Sequence, residues 1–413
     1  MSETVNQPQS DLGFEYNPYE PGFDANPFPI FRQMQEKAPV YFWNTAQAWL
    51  LSKLDDIVNL MRDPRFSLDR KYWEFFQPTT FKPEHADYVL MLDNGLWNVS
   101  KGDHARIRRL VGPAFSPRAV AKMRDLVQQT VDSALANFEG QEIADISTGF
   151  AEPIPMGVMC KLVRIPDEAV PIFRAFAFAL LEASSAWIAN DEFDRIIAPV
   201  SPGVQLLRKL IHERREKPGD DLLSDLIRAR DEEAKLSEGE LISLVNALIA
   251  AGTETTTDVI CLAVYNLLRH PVQLQRLRSD WSLIGKACDE VIRYDGLGKV
   301  GVPRYALEDV EIRGTKIAKG KMVIGLLSAG LRDPEVYANP DVFDITRDNS
   351  NSPNYGVGAH ICVGAHLARL EIETAVRSLF ERYPNMELVE EPTFGRHSYL
   401  RQIASLKVRL NRS

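Results

Sequence analysis

Ser237 and Glu240 open an apolar stretch that runs without proline to His270, where Pro271 follows. A serine with a glutamate three residues later is a capping box, in which each side chain satisfies a backbone N–H left open at a helix start. Proline at the far end stops the helix. Roughly 34 residues at 1.5 Å each would span about 50 Å. The spacing therefore predicts one helix crossing the whole molecule, with other elements packed around it. No internal repeat or Gly/Ser-rich linker divides the 413 residues, which are 45% hydrophobic and 25% charged. That is an ordinary composition for a soluble protein. Most of the rest reads helical: one amphipathic run ends at Arg214-Arg215-Glu216-Lys217-Pro218 and another starts with Asp221-Leu222-Leu223. Strand-like pieces are short and lie near residues 40–52, 302–325 and 392–410. The expected architecture is mainly α with a smaller β region, a polar segment over residues 1–26 and a single domain over 27–413.

Four scattered cysteines, Cys160, Cys261, Cys288 and Cys362, form no disulfide framework, which fits a reducing compartment. Met1 to Phe28 is polar and acidic, with no cationic stretch leading into an apolar run, so no signal peptide is expected. No window reaches 18 uninterrupted apolar residues, so no membrane span and a cytoplasmic location are expected. A net charge of −9 argues against non-specific nucleic-acid binding. Residues 101–124 go the other way: Lys101, Arg106, Arg108, Arg109, Arg118, Lys122 and Arg124 stand against Asp103 alone.

Chemistry concentrates in two places. Cys362 sits in a turn with Gly356, Gly358 and Gly364, just ahead of Leu367, Leu370, Ile372, Ala375 and Leu379 at helical spacing. Glycines let backbone N–H groups approach the sulfur, and a helix N-terminus favours an anion. A thiolate, the form that ligates metal, is then preferred. Taken alone, the same residues also suit a buried apolar cysteine before a helix. His360 and His366 flank Cys362, but a structural zinc site needs four ligands and no second cluster exists. The second place is Ala251-Gly252-Thr253-Glu254-Thr255, poor helix material inside the long apolar run. Gly252 lets a ligand approach the backbone, Thr255 can donate and accept a hydrogen bond, and Glu254 can carry protons. A helix kink with a solvated Glu is the other reading of these residues.

Tyr355 to Arg369 resembles the haem-ligand signature of cytochromes P450, Phe-Gly-x-Gly-x-His-x-Cys-x-Gly-x-x-Leu-Ala-Arg, with Tyr355 where Phe is usual. The resemblance covers the chain from about Pro27, with five motifs in the family's order. It implies the P450 fold, with haem b between the long central helix and the cysteine loop and Cys362 as axial ligand. Ala251 to Thr255 is similar to the oxygen-activation motif, in which the Thr hydroxyl hydrogen-bonds dioxygen and the acid relays protons. Those roles fall to Thr255 and Glu254. Glu290-Val291-Ile292-Arg293 resembles the structural Glu-x-x-Arg motif, completed by Arg347 after Pro340-Asp341-Val342-Phe343. His104 and Arg108, Arg304 and His360 match the positions that bind the haem propionates. Arg106 and Arg109 are rotated roughly 140–200° from His104 at 3.6 residues per turn.

The chain carries no GxGxxG fingerprint after a strand and no iron–sulfur cysteine cluster. By the resemblance, a separate ferredoxin and ferredoxin reductase supply two electrons, and Arg106, Arg109 and Arg118 are expected to line the docking face. The resemblance further implies a monomeric monooxygenase of the soluble bacterial type. It would use O2 to hydroxylate or epoxidise a lipophilic small molecule such as a macrolide, another polyketide or a terpenoid.

Substrate contacts are expected from the loop before His104, residues 170–195, the central helix (Leu244, Ala247, Ala251) and the loop before Arg304. That last loop holds Val300, with Gly296, Gly298 and Gly301 expected to leave room near the haem. Lys299 either meets a polar substrate group or points to solvent. Peroxide-using or isomerising haem-thiolate enzymes typically lack the acid–Thr pair. A non-catalytic haem or lipophile-binding protein would need neither Thr255 nor a basic face. Tyr355 leaves a hydroxyl near the sulfur that needs a partner and could tune the iron.

Overall fold

The structure, a computed structural model, describes residues 12–411 apart from 79, 97, 98, 100, 184–189, 232–235, 396 and 398. Its axis is the helix Glu238–Arg269, 32 residues long. The Ser237 Oγ accepts from the Glu240 N–H at 3.1 Å, and Glu240 Oε2 accepts from the Ser237 N–H at 2.7 Å. Pro271 opens the next helix, Pro271–Ser279. The central helix is apolar on nearly all faces, as a helix must be when it is surrounded by others. It packs against Ala86–Asn94, Pro153–Leu162, Val170–Ala183, Ile284–Asp295 and Ala365–Arg382. By length and composition it could pass for a membrane span, but 78% of its apolar window is buried by the protein's own elements.

The expected break near residues 214–221 separates the helices Val200–Glu216 and Leu222–Asp231. The helix carrying His104 begins at Lys101, with Asp103 in its first turn.

A five-stranded sheet stands beside the helical body, in spatial order Val40–Trp43, Ala48–Leu51, Met322–Gly325, Pro303–Ala306 and Phe66–Ser67. Its pairings are antiparallel except Ala48–Leu51 with Met322–Gly325. Alternation along Ala48–Leu51 covers both faces. Ala48 and Leu50 join Tyr41, Phe31 and Ile324 on one side; Trp49 and Leu51 join Ile57, Leu60 and Val323 on the other. The strands Ile143–Asp145 and Glu387–Leu388, which hydropathy did not mark, flank Lys407–Arg409.

The segment ahead of residue 27 packs on the domain from Leu12, the first described residue, onward. Tyr16 is fully buried, edge-on to Phe23 and Trp43, and its hydroxyl donates to the Lys299 carbonyl. Lys299 is itself only 3% exposed, with Nζ 3.0 Å from Asp24 Oδ2, so it neither points to solvent nor offers itself to a substrate. Arg401 completes this knot, donating to the Asp24 carbonyl at 2.8 Å and to Asp295 Oδ1 at 2.6 Å. Two glycines expected to leave room near the haem serve the backbone instead. A Cβ on Gly301 would lie 2.0 Å from the Gly325 carbonyl oxygen, and one on Gly296 (φ +59°) would lie 2.5 Å from Ser328 Oγ.

Candidate active site

Gly356 and Gly358 hold positive φ (78° and 72°), turning the chain into the short 3-10 helix Gly358–His360. The Cys362 N–H donates to the Tyr355 carbonyl at 2.9 Å and closes the loop. Two residues on, Gly364 caps the helix Ala365–Arg382. Cys362 is the exposed cysteine of the four; Cys160, Cys261 and Cys288 are buried. The Gly364 N–H and the Arg108 guanidinium draw the thiol downward as the helix-end argument expects, but burial on its protein side outweighs them and raises it. Arg108 reaches over the loop, donating to the Ile361 carbonyl at 2.7 Å.

Beside the sulfur the structure gathers basic groups. The His104 and His360 rings lie 4.1 Å apart between centroids. Burial, with His104, Arg304 and Arg108 nearby, pushes the His360 imidazole down to about 4. Burial and Arg108 lower His104 likewise. Arg304 projects from the strand Pro303–Ala306, is buried, and donates to the Pro303 carbonyl at 3.3 Å. Burial alone lowers its guanidinium, and no carboxylate among the described residues pairs with it. Four basic side chains converging without an acid fit a dianionic group, since a buried cation calls for an anion. A group with two carboxylates and a thiophilic metal, which is the description of haem, matches this donor set.

The opposite wall is the central helix. Ala251 is exposed in the middle of the most buried helix of the protein, with Ala247 and Thr255 partly open one turn to either side. The helix is unbroken here. Thr255 Oγ1 donates to the Ala251 carbonyl at 2.8 Å, and Thr253 Oγ1 donates to the Ile249 carbonyl at 2.6 Å. Leu244 does not share the open face; it is buried in the main core. Gly252 faces away too, since a Cβ there would meet Met159 at 3.5 Å. Val300 is half-buried against the sheet cluster that contains Tyr16 and Trp43.

Glu254 is buried rather than solvated, and its Oε2 lies 3.5 Å from His397 Nε2. One turn on, Asp258 Oδ1 accepts the Ile403 N–H at 3.3 Å while Oδ2 has no partner among the described residues. Burial holds the Asp258 carboxyl well above the usual carboxylate range; the Ile403 N–H opposes this, Glu254 adds to it and Arg401 opposes it. Sequence reasoning did not find His397, because a lone histidine between short strands carries no pattern.

Behind the cysteine loop the expected brace is complete. Glu290 and Arg293 are wholly buried and bidentate, and Arg293 also donates to the carbonyls of Leu331 at 3.1 Å and Pro340 at 2.9 Å. Arg347 Nε lies 3.3 Å from Glu290 Oε1, and its other nitrogens donate to the Ala338, Asn339 and Val342 carbonyls. Two members escaped the sequence. Asn349 donates to Glu290 Oε2 at 3.0 Å, and Asp289 ties the loop through Arg369 at 3.0 Å and the Asn354 amide at 2.8 Å. Arg369, the last residue of the signature stretch, was the available clue. Its guanidinium also lies 4.6 Å from the Tyr355 ring centroid. The Tyr355 hydroxyl is buried with no hydrogen-bond partner among the described residues, and burial pushes its phenol far above the ordinary range.

Of the expected docking arginines, Arg109 and Arg118 are exposed. Arg106 is not free, because it is held between Asp103 at 2.8 Å and the capping residue Glu240. The expected substrate loop before His104 and the 170–195 region lie partly outside the described residues, at 97, 98, 100 and 184–189.

Residues 172–394 match the family model for cytochrome P450. The chain is 39% identical to epothilone C/D epoxidase of Sorangium cellulosum, across 100% of this chain and 99% of that one. It is 32% identical to the cytochrome P450 monooxygenase PikC of Streptomyces venezuelae, over 94% of this chain and 90% of that one. The crystal structure of epothilone D-bound cytochrome P450epoK superposes with a TM-score of 0.89 at 38% identity, covering 97% of this chain and 100% of that one. The polyketide synthase cytochrome P450 PksS of Bacillus subtilis 168 gives 0.86 at 30% identity, over 96% and 100%. Fold, donor set and likeness agree: the chain belongs to the cytochrome P450 family, a haem b monooxygenase.

Proposed function

We propose that the protein inserts one oxygen atom from O2 into a macrolide-type polyketide, by hydroxylation or epoxidation. The second oxygen atom leaves as water, formed with two electrons and two protons. The observation that carries the substrate class is the small, open face of the central helix. Ala251 and Ala247 stand one and two turns before Thr255, where a bulky ring can lie flat against the helix. One similar protein named for epothilone epoxidation and another named for polyketide biosynthesis support the reading.

Haem b, when bound, would supply oxygen activation at its iron. Cys362 would hold that iron through its sulfur, and His104, Arg108, Arg304 and His360 would hold the two carboxylates of the cofactor and exclude water from them. Thr255 presents hydroxyl lone pairs to the open side while its own proton rests on the Ala251 carbonyl. Glu254 delivers protons to that hydroxyl. Glu290, Arg293 and Arg347 do no chemistry; they fix the loop that aims the sulfur. Electrons come from an acidic ferredoxin and its reductase in the cytoplasm, with a monomeric protein docking through the exposed Arg109 and Arg118.

The test is the reduced, CO-bound absorption spectrum followed by spin-state titrations with macrolides, terpenoids and fatty acids. A red-shifted Soret band with a macrolide-induced spin shift is expected. A response to fatty acids alone would overturn the substrate class. Wild-type turnover and coupling in Thr255→Ala would overturn the roles of Thr255 and Glu254.

A further inference from the structure

The buried carboxylate that faces away from the open site has a neighbour with no assigned purpose. His397 Nδ1 accepts two backbone N–H groups, from Tyr399 at 3.1 Å and Leu400 at 2.9 Å. A ring nitrogen that accepts two N–H groups carries no proton, so the proton of the neutral imidazole must sit on Nε2. That nitrogen points at Glu254 Oε2, 3.5 Å away, with the two side chains 11% and 5% exposed. Neither atom has a hydrogen-bond partner among the described residues. An orphaned donor and an orphaned acceptor, both out of water, each cost free energy until they meet, and an approach of about half an ångström makes the bond.

We propose that His397 is a positioning residue whose Nε2–H anchors the Glu254 carboxylate and so sets where the proton donor stands relative to Thr255. The inference rests on the proton-supplying role proposed for Glu254. The ring is suited to holding and not to shuttling. Passing a proton through an imidazole needs both nitrogens in turn, and protonating Nδ1 would break both backbone hydrogen bonds. Among the described residues, the other ionisable groups near this pocket are Asp258, one turn along the same helix, and Arg401, which is bound to Asp295. Asp258 Oδ2 has no partner of its own, but Glu254 is the carboxylate that His397 meets within ion-pair distance, and Arg401 is a cation.

Three measurements on the haem-loaded protein test this. In protein labelled with nitrogen-15 histidine, the His397 resonances, assigned by their loss in His397→Gln, should report the Nε2–H tautomer at pH 8. An Nδ1–H tautomer or an imidazolium would overturn the proposal. In infrared spectra, the carboxylate stretch of Glu254, isolated as wild type minus Glu254→Gln, should shift in His397→Ala and return toward the wild-type position in His397→Gln, which restores an N–H donor. An unmoved band in His397→Ala would also overturn it. Product formed per electron pair should fall about tenfold in His397→Ala, the equivalent of one hydrogen bond to a charged group, with recovery in His397→Gln. Should His397→Ala fail to fold, the wild-type tautomer and the His397→Gln band still decide the matter. If the infrared band shifts as stated while Glu254→Gln retains full coupling, the anchor stands and the proton role of Glu254 fails.

Discussion

Arg293 grips Glu290 through two parallel hydrogen bonds, Nε to Oε2 at 2.7 Å and a terminal nitrogen to Oε1 at 2.8 Å, with neither side chain reaching solvent. Glu290 also receives Arg347, the Asn349 amide and the Asp344 N–H. A buried carboxylate so fully engaged is stranded when any strong partner leaves. Arg293→Leu should cost about 3–5 kcal/mol, read as a lowered urea midpoint and as loss of the thiolate Soret band. Arg347, partly exposed, should cost less on replacement by Leu.

Tyr355→Phe should act in the opposite direction. Its buried hydroxyl has no partner among the described residues, so deleting it removes a desolvation penalty of about 1–3 kcal/mol. The urea midpoint should rise, and the reduction potential of the haem should not move, because that hydroxyl donates to nothing near the sulfur. A fall in stability or a shifted potential would show a bond absent from this arrangement.

Asp258 sets a pH dependence whose sign can be worked out. Its folded value is raised, chiefly by burial, so the native state keeps a proton that the unfolded chain releases above about pH 4. The contribution is fully present below that pH and is lost progressively as pH rises toward the folded value. Asp258→Asn keeps the Oδ1 acceptor for Ile403 and removes the ionisation. Urea unfolding should show this variant more stable than wild type at pH 8, with the difference vanishing near pH 4.

Filling the open face of the central helix should discriminate by substrate size. Ala251→Phe projects into space rather than into the core, so the fold should tolerate it. Spin-state titration should show macrolide affinity weakened at least about tenfold, roughly 1.4 kcal/mol, with slender fatty acids less affected.

Arg109→Glu reverses an exposed charge on the expected docking face. Stability should change by less than about 0.5 kcal/mol. Stopped-flow reduction by an acidic ferredoxin should slow, and its dependence on salt should flatten. An unchanged rate at low salt would place the donor elsewhere.

What could be read from the sequence was local or carried by a long motif. Ser237 and Glu240 announce a helix start within four residues, and Glu290 and Arg293 lie on one helix turn. The two errors about charge share one cause. Helical spacing faces Arg106 outward and leaves out Glu240, 134 residues away, which holds it together with the local Asp103. Lys299 was placed at the substrate or in water because Asp24 is 275 residues away. Nothing in local spacing encodes which distant acid will arrive. Glycines misled in a related way: the room that Gly301 creates is filled by the Gly325 backbone, and only the tertiary approach shows it. His397 was invisible because its meaning comes from two backbone N–H groups and a carboxylate on another element.

The knot of Asp24, Lys299 and Arg401 has a consequence for how the protein is made. The Asp24 carbonyl must wait for Arg401, 377 residues later, to receive its hydrogen bond. At about 5–20 residues per second, that interval lasts on the order of tens of seconds. The same arginine holds Asp295, the last residue of the helix that carries Glu290 and Arg293. The support behind the cysteine loop is therefore finished only after residue 401 has been made. A chain cut before that residue lacks the arginine that ties Asp24 to Asp295, so the helix carrying Glu290 and Arg293 should be held more loosely.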